Sequence, residues 1–374
     1  MGSVQNVLVI GGGIAGMCAA MELRKRGAHV DLVELDPRWQ VYGAGITLSG
    51  PTLRAFTQVG VIDDILAQGW CADGLDILTA QGQPIGQIPT PRLGRPDVPG
   101  GGGILRPVLA RILREHTLAA GVAVRCGTTF SSIEPMDEQV EVHFTDGRSA
   151  RYDLVVGADG LHSKVRQRLF PDAPKPRYTG QGSWRAVVPR PPEIVRATMS
   201  LGPHVKAGIN PVSQDEMYLY VTERRESADH LEEARWPEEL RRVLKDFGGL
   251  VGQIRDGLNE RSRILYRPFF AVLQPLPWHQ GRVVMIGDAV HATTPHLASG
   301  AGIGIEDAVV LAEELARHDH VEAALQAFTT RRYERCRMVV ENSLALGEME
   351  RRQAPKEEHE ALMRQTMQAL MAPI

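Results

Sequence analysis

The stretch Asn6-Val-Leu-Val-Ile-Gly-Gly-Gly-Ile-Ala-Gly16, continuing through Met17 to Gly27 and His29-Val-Asp-Leu-Val-Glu34, decides the fold. Asn6 to Ile10 is a short apolar run rich in β-branched residues, the pattern of a strand buried on both faces. Met17 to Gly27 reads as a helix: Cys18, Ala19, Ala20 and Leu23 fall on an inward face, and Gly27 ends it. His29 to Glu34 is a second strand, so the first 34 residues form one β-α-β unit. Gly11, Gly13 and Gly16 stand in the G-x-G-x-x-G spacing, with Ala15 inside the turn. The first glycine makes a tight turn, the second lets a pyrophosphate approach the backbone, and the third permits close helix–strand packing. The helix start adds free N–H groups and a partial positive charge. Glu34 ends the second strand, where a carboxylate accepts hydrogen bonds from ribose hydroxyls and repels a 2′-phosphate.

Two more buried strand-like runs end in the same manner. Tyr152-Asp-Leu-Val-Val156 leads into Gly157-Ala-Asp-Gly160, and Gly281-Arg-Val-Val-Met-Ile286 leads into Gly287-Asp288. Ligands of open α/β sheets gather at the carboxyl ends of strands, so three such ends meeting at one ligand are expected. Pro84 to Gly103, rich in Pro and Gly, reads as a loop. Between about 176 and 275 the texture changes to alternating strands such as Met217-Tyr-Leu-Tyr-Val221, with a charged helical piece near Glu223 to Leu244. Ile303 to Ala316 reads as a long helix. The tail from Val321 to Met371 reads as charged helix broken near Pro355, with Arg331, Arg332, Arg335 and Arg337 on a solvated face or a binding patch.

The 374 residues carry 42 basic and 45 acidic side chains, a net charge of -3. That balance argues against a strongly basic nucleic-acid binder. Cys18, Cys71, Cys126 and Cys336 are scattered with no C-x-x-C pair, so neither a disulfide framework nor a metal site is expected. No apolar run approaches a membrane span, and Met1 to Asn6 has no basic stretch or apolar core. A soluble cytoplasmic protein without membrane or nucleic-acid partners is the expectation, with oligomeric state open.

Three motifs in order carry a resemblance: Gly11–Gly16 with Glu34; Asp153-Leu-Val-Val-Gly-Ala-Asp-Gly160 with Leu161-His-Ser-Lys-Val-Arg166; and Gly287-Asp-Ala-Val-His-Ala-Thr-Thr-Pro295 with Ser299-Gly-Ala-Gly302. Over most of its length the chain resembles the class A flavoprotein aromatic monooxygenases of the p-hydroxybenzoate hydroxylase type, whose DG and GD motifs the second and third stretches match. Gly43-Ala-Gly-Ile-Thr47 and Arg106 also resemble family positions. The resemblance implies an α/β protein: a Rossmann-like FAD-binding unit with a parallel sheet (1–175 and 276–320, with an excursion near 76–103), a mostly antiparallel substrate sheet (176–275) and a C-terminal helical segment (321–374).

It also implies FAD as bound cofactor and transient NADH or NADPH. Reduced flavin and O2 would then hydroxylate a small phenolic or N-heteroaromatic ring by way of a flavin C4a-hydroperoxide. Epoxidase, Baeyer–Villiger or reductase chemistry on the same fold, or non-enzymatic flavin binding, are the alternatives. By the same resemblance Asp288 accepts from the ribityl chain. Pro295, Gly300, Ala301 and Gly302 lie beside the isoalloxazine, Arg106 touches the flavin or its phosphates, and Asp159 senses both cofactors. Thr47 belongs to the cofactor set. Tyr218 and Lys206 are the expected substrate-side residues, the first to hydrogen-bond or deprotonate a phenol and the second to hold an anionic group. Tyr220 shares the Tyr218 face at period two. Trp184 and Arg185 are expected to line the pocket, and His291 and His296 to lie near the flavin, chiefly as structural residues.

Overall fold

The computed structural model describes residues 4–41 and 43–374; Met1 to Ser3 and Tyr42 lie outside the described residues. Its first sheet has six strands in the order His279–Gln280, Val283–Met285, Leu154–Gly157, Asn6–Ile10, His29–Glu34 and Ala123–Cys126. All pairs are parallel except the first. The register aligns Ile10 with Gly157 and Gly157 with Met285. The turns after these three strands therefore lie side by side at the carboxyl end of the sheet, as their sequences predict. The strands are nearly continuous Val, Ile and Leu because helices cover both faces.

The helix after the first strand is Ile14–Lys25, three residues ahead of the predicted start, because the backbone turns helical as soon as Gly13 is passed. It packs against Gly300–Arg317, the most apolar helix of the chain, which is backed in turn by Val321–Arg351. The C-terminal helix breaks before Pro355 and resumes as Lys356–Met371.

A second sheet has seven strands: Arg263–Ala271, Arg177–Pro189, Glu216–Arg224, Lys206–Pro211, Ala197–Leu201, Leu75–Thr79 and Pro84–Ile88. It is antiparallel except where Ala197–Leu201 meets Leu75–Thr79. Alternation divides its side chains between two faces. Trp184, Ala186, Leu219, Val221, Ala207 and Ile209 form an apolar core with the helices Trp236–Val243 and Gly249–Gly257. Arg185, Val187, Tyr218, Tyr220, Gly208 and Asn210 occupy the opposite face.

Two expectations are corrected here. Trp184 does not line the pocket: it is fully buried on the far face, where its indole N–H donates to Glu223 at 2.8 Å. Pro84 to Gly103 is not one loop. It opens with the strand Pro84–Ile88 and ends in Gly101–Leu105, the centre of a small sheet with Gly45–Ser49 and Trp70–Cys71. The glycine run is a strand because backbone must come close there: a side chain on Gly103 would overlap the Pro211 carbonyl, and one on Gly45 the Tyr218 ring. These contacts bring the seven-stranded sheet against the small sheet beside the aligned strand ends.

Candidate active site

The first turn is built as the spacing requires. Gly11 has φ +109° and lies against Ala158, and a Cβ on Gly16 would overlap the Gly11 carbonyl oxygen. A Cβ on Gly13 would meet nothing within 4 Å. Neither Ile14–Lys25 nor Gly300–Arg317 has a side-chain cap at its start, so both keep unpaired N–H groups and the positive end of the helix dipole. Ala15 packs on Gly287 and Gly304, joining the first turn to the third. Glu34 takes the Gly12 N–H at 2.7 Å on one oxygen and the Asp36 N–H at 2.8 Å on the other. Each oxygen keeps a lone pair for a further donor.

Asp288 has no hydrogen-bond partner among the described residues. Protein surrounds it, yet its side chain is accessible because it faces an open cleft. Burial pushes its pKa up, with His291 and Arg106 opposing. Arg106 opens the helix Arg106–Ala119, where a cation meets an unfavourable dipole, and its Nε is buried without a partner. Burial lowers its pKa also. Such an arginine is complete only with an anion beside it.

The pocket face of the seven-stranded sheet covers this cleft. Arg185 makes no ion pair or hydrogen bond among the described residues. Burial, then the nearby Arg106, lowers its pKa to about 10, so it stays cationic at neutral pH. Tyr218 Oη lies 2.5 Å from Thr47 Oγ1, which also accepts from Asn210 Nδ2 at 3.2 Å. Tyr220 stacks at 5.4 Å on Tyr218, fills the space over Gly208, and has no hydroxyl partner among the described residues. Burial pushes both phenols up. Lys206 lies at the outer end of the same face, exposed, 3.7 Å from Glu350.

Comparison with known proteins places this geometry. Residues 5–343 match the family described as FAD binding domain. A 3-amino-4-hydroxybenzoate 2-monooxygenase of Streptomyces cremeus is 33% identical, over 82% of this chain and 77% of that protein. The aurachin C monooxygenase/isomerase of Stigmatella aurantiaca is 31% identical, over 92% and 89%. The chain belongs to the FAD-binding-domain family, the flavin-dependent aromatic monooxygenases. Among solved structures, Klebsiella pneumoniae HpxO complexed with FAD and uric acid has a TM-score of 0.84 at 23% identity, covering 98% of this chain and 95% of that one. It has the same fold.

The residues present fit FAD. The orphaned Arg106 Nε, the open space over Gly13, two uncapped helix starts and the unpartnered Asp288 carboxylate are the complements of a pyrophosphate, a flavin edge and a polyol chain. Pro295 is exposed, Gly300 and Ala301 are half-buried, and Gly302 is packed so closely on Thr52 that a side chain there would clash. Asp159 is fully engaged: it accepts from Ser163 Oγ at 2.5 Å and from the N–H groups of Lys164 and Val165 at 2.7 and 3.0 Å, closing the DG loop.

Sequence reasoning missed two supports of this flavoprotein site. Arg166 donates to the Leu161 and Ala289 carbonyls, tying the DG loop to the GD turn. Asp307 accepts from the Gly287 N–H at 2.9 Å, His291 at 2.6 Å and Arg332 at 2.8 Å, with Glu306 salt-bridged to Arg332 and Arg335. The arginine cluster of the tail is therefore neither a solvated face nor a patch: Arg332 and Arg335 turn inward onto Glu306 and Asp307 of the helix packed against them, and Arg331 pairs with Glu313 and Glu314 of that same helix. Arg337 alone stays on the surface, with Glu334 and Glu341.

This network gives a pH dependence. Burial would raise Asp307, but His291 and Arg332 hold it at about 2, below the ordinary 3.8. Its contribution to stability is full above 3.8 and lost as pH falls toward 2. For His291 burial opposes the charge, but Cys336 and Asp307 hold it well above 6.5. Its contribution is full below 6.5 and lost as pH rises through that higher value. Urea midpoints across pH should fall on both flanks. An Asp307→Asn variant should lose part of the acid-side slope, and an unchanged slope would remove Asp307 from the account.

Proposed function

We propose that this chain uses NAD(P)H and O2 to hydroxylate a small aromatic or N-heteroaromatic compound that carries an oxyanion, a phenolate or a carboxylate. The observation that carries this reading is Arg185, a cation without a carboxylate partner on the sheet face that covers the cleft. Arg106 and Arg185 lie near each other, and a polar partner of opposite sign is what such a pair lacks. Arg106 would hold the cofactor side and Arg185 the substrate anion. When bound, FAD supplies the redox and oxygen chemistry. The chain orients the ring, keeps water out and holds a proton at a phenol oxygen.

Tyr220 takes the substrate-side role in this reading, rather than Tyr218. The Tyr218 hydroxyl is used by Thr47, whereas the Tyr220 hydroxyl is free to meet a ring substituent. Lys206, joined to Glu350 at the rim, would meet the substrate only on entry. The epoxidase, Baeyer–Villiger and reductase alternatives have no observation in their favour. A Tyr220→Phe variant should lower kcat/KM by about 10-fold or more, the loss of one hydrogen bond to a charged group. A Tyr218→Phe variant should instead lose about 1 kcal/mol of stability with near-normal turnover. Steady-state assays and denaturation curves on both variants test the assignment, and reversed effects would return the role to Tyr218.

A further inference from the structure

Behind the GD turn lies an ionic pair that FAD contact does not require. His291 and Asp307 are both fully buried. One oxygen of Asp307 accepts the Gly287 N–H and faces His291 Nε2. Gly287 has φ +62° and precedes Asp288, while His291 ends the short helix Asp288–His291. A single carboxylate oxygen thus ties both ends of the segment that carries Asp288, and the other oxygen anchors that carboxylate to Arg332.

We propose that His291 and Asp307 are positioning residues for Asp288: they fix the Gly287–Asp288 turn, and His291 sets a positive charge beside the carboxylate that meets the ribityl hydroxyls. The inference rests on the reading of Asp288 as the ribityl acceptor. Apolar residues of equal volume would fill the same space without desolvating two charges, so packing does not account for the pair. What distinguishes this place is its neighbour, the solvent-accessible Asp288 carboxylate, walled by protein that disfavours its charged form.

The charged and titratable groups facing His291 come from three elements. Asp307 belongs to Gly300–Arg317, Arg332 and Cys336 to Val321–Arg351, and Asp288 to its own turn. The Trp278 ring is 5.5 Å away, and Arg166 reaches the same turn through the Ala289 carbonyl. His291 Nδ1 has no partner among the described residues, Nε2 faces Asp307 at 2.6 Å, and the Cys336 thiol lies against the same pair.

The test is FAD affinity of the apoprotein against pH, by flavin fluorescence quenching, for the wild type, His291→Gln and Asp288→Asn. Glutamine keeps an N–H for Asp307 and removes the charge. The expected result is binding close to wild type at about pH 8.5 and a loss of affinity on acidification that sets in at higher pH than in the wild type. A His291→Gln curve parallel to the wild type, offset or not, overturns the proposal. Asp288→Asn separates the two readings: if it binds FAD as the wild type does, the Asp288 assignment itself fails. Nitrogen-15 NMR of histidine-labelled wild type needs no variant. An imidazolium at His291 through about pH 7.5 supports the proposal, and a neutral ring at pH 7 overturns it.

Discussion

Replacing Arg185 with glutamine will lower kcat/KM for an anionic aromatic substrate by about 10²-fold or more, while FAD occupancy stays near that of the wild type. The magnitude follows from removing one partner of a desolvated charge pair, which costs about 2–5 kcal/mol, the charge left behind being the substrate's own. The specificity follows from position. Arg185 stands on the covering sheet, in register with Tyr220 and Leu265, and not on the three strand ends that would hold the cofactor. An Arg185→Lys variant should recover only part of the loss, because an ammonium is a point charge without the planar fork that matches a carboxylate. Equal loss for neutral and anionic ring compounds would mean that Arg185 orients the flavin instead. Loss of FAD itself would move Arg185 into the cofactor site.

Replacing Arg332 with methionine will destabilise the folded protein by about 3–5 kcal/mol, the largest stability effect expected of any single tail residue. Arg332 is 1% exposed, donates to Asp307 at 2.8 Å and to the Ile303 carbonyl at 3.0 Å, and is salt-bridged to Glu306. Methionine fills most of the volume but leaves two carboxylates buried with fewer counter-charges. The matched control is Arg337→Ala, a residue of the same helix with exposed partners, whose cost should stay within about 1 kcal/mol. Far-UV circular dichroism in urea, followed together with flavin release, measures both. A small effect at Arg332 would mean that Arg335, with Arg54 3.7 Å from Glu306, neutralises Glu306 and that His291 alone suffices for Asp307.

The nucleotide end of the fold is legible in the sequence because its constraints are local. A buried parallel strand, a glycine turn and a helix start follow one another within sixteen residues. The DG and GD stretches repeat the logic of a strand followed by a tight polar turn, and Ile10, Gly157 and Met285 do fall in one register. The glycine strand Gly101–Leu105 is not legible in the same way. Gly103 answers to Pro211 and Asn210, more than a hundred residues away, Gly102 answers to Trp70 and Cys71, and local propensity reads the run as a loop. The pocket face is legible only to period two. Alternation puts Tyr218 and Tyr220 together, but which hydroxyl is free depends on Thr47 in another sheet. Trp184 and Arg185 are neighbours in sequence and so point to opposite faces, one into a core and one toward the cleft.

The arginine cluster carries a similar lesson. Arg332 and Arg335 look like part of a solvated helix face until the acidic pair Glu306–Asp307, set in the apolar first half of the facing helix, is recognised as their partner. A charge pair inside an apolar stretch is the signal available in the sequence, since a buried carboxylate requires a counter-charge. Nothing in the sequence says which turn that pair then supports; the Gly287 N–H on Asp307 is visible only in three dimensions.

The central claim is oxygen insertion into an anionic ring, and isotope labelling tests it most directly. The FAD-loaded protein is turned over with NAD(P)H under ¹⁸O₂ with a panel of hydroxylated aromatic and pyridine carboxylic acids, and the products are weighed by mass spectrometry. The account predicts that an anionic ring compound accelerates NAD(P)H oxidation and leaves with one ¹⁸O atom, and that the wild type does this far better than Arg185→Gln. Acceleration that yields only peroxide with every compound, or a product whose new oxygen comes from water, would contradict it.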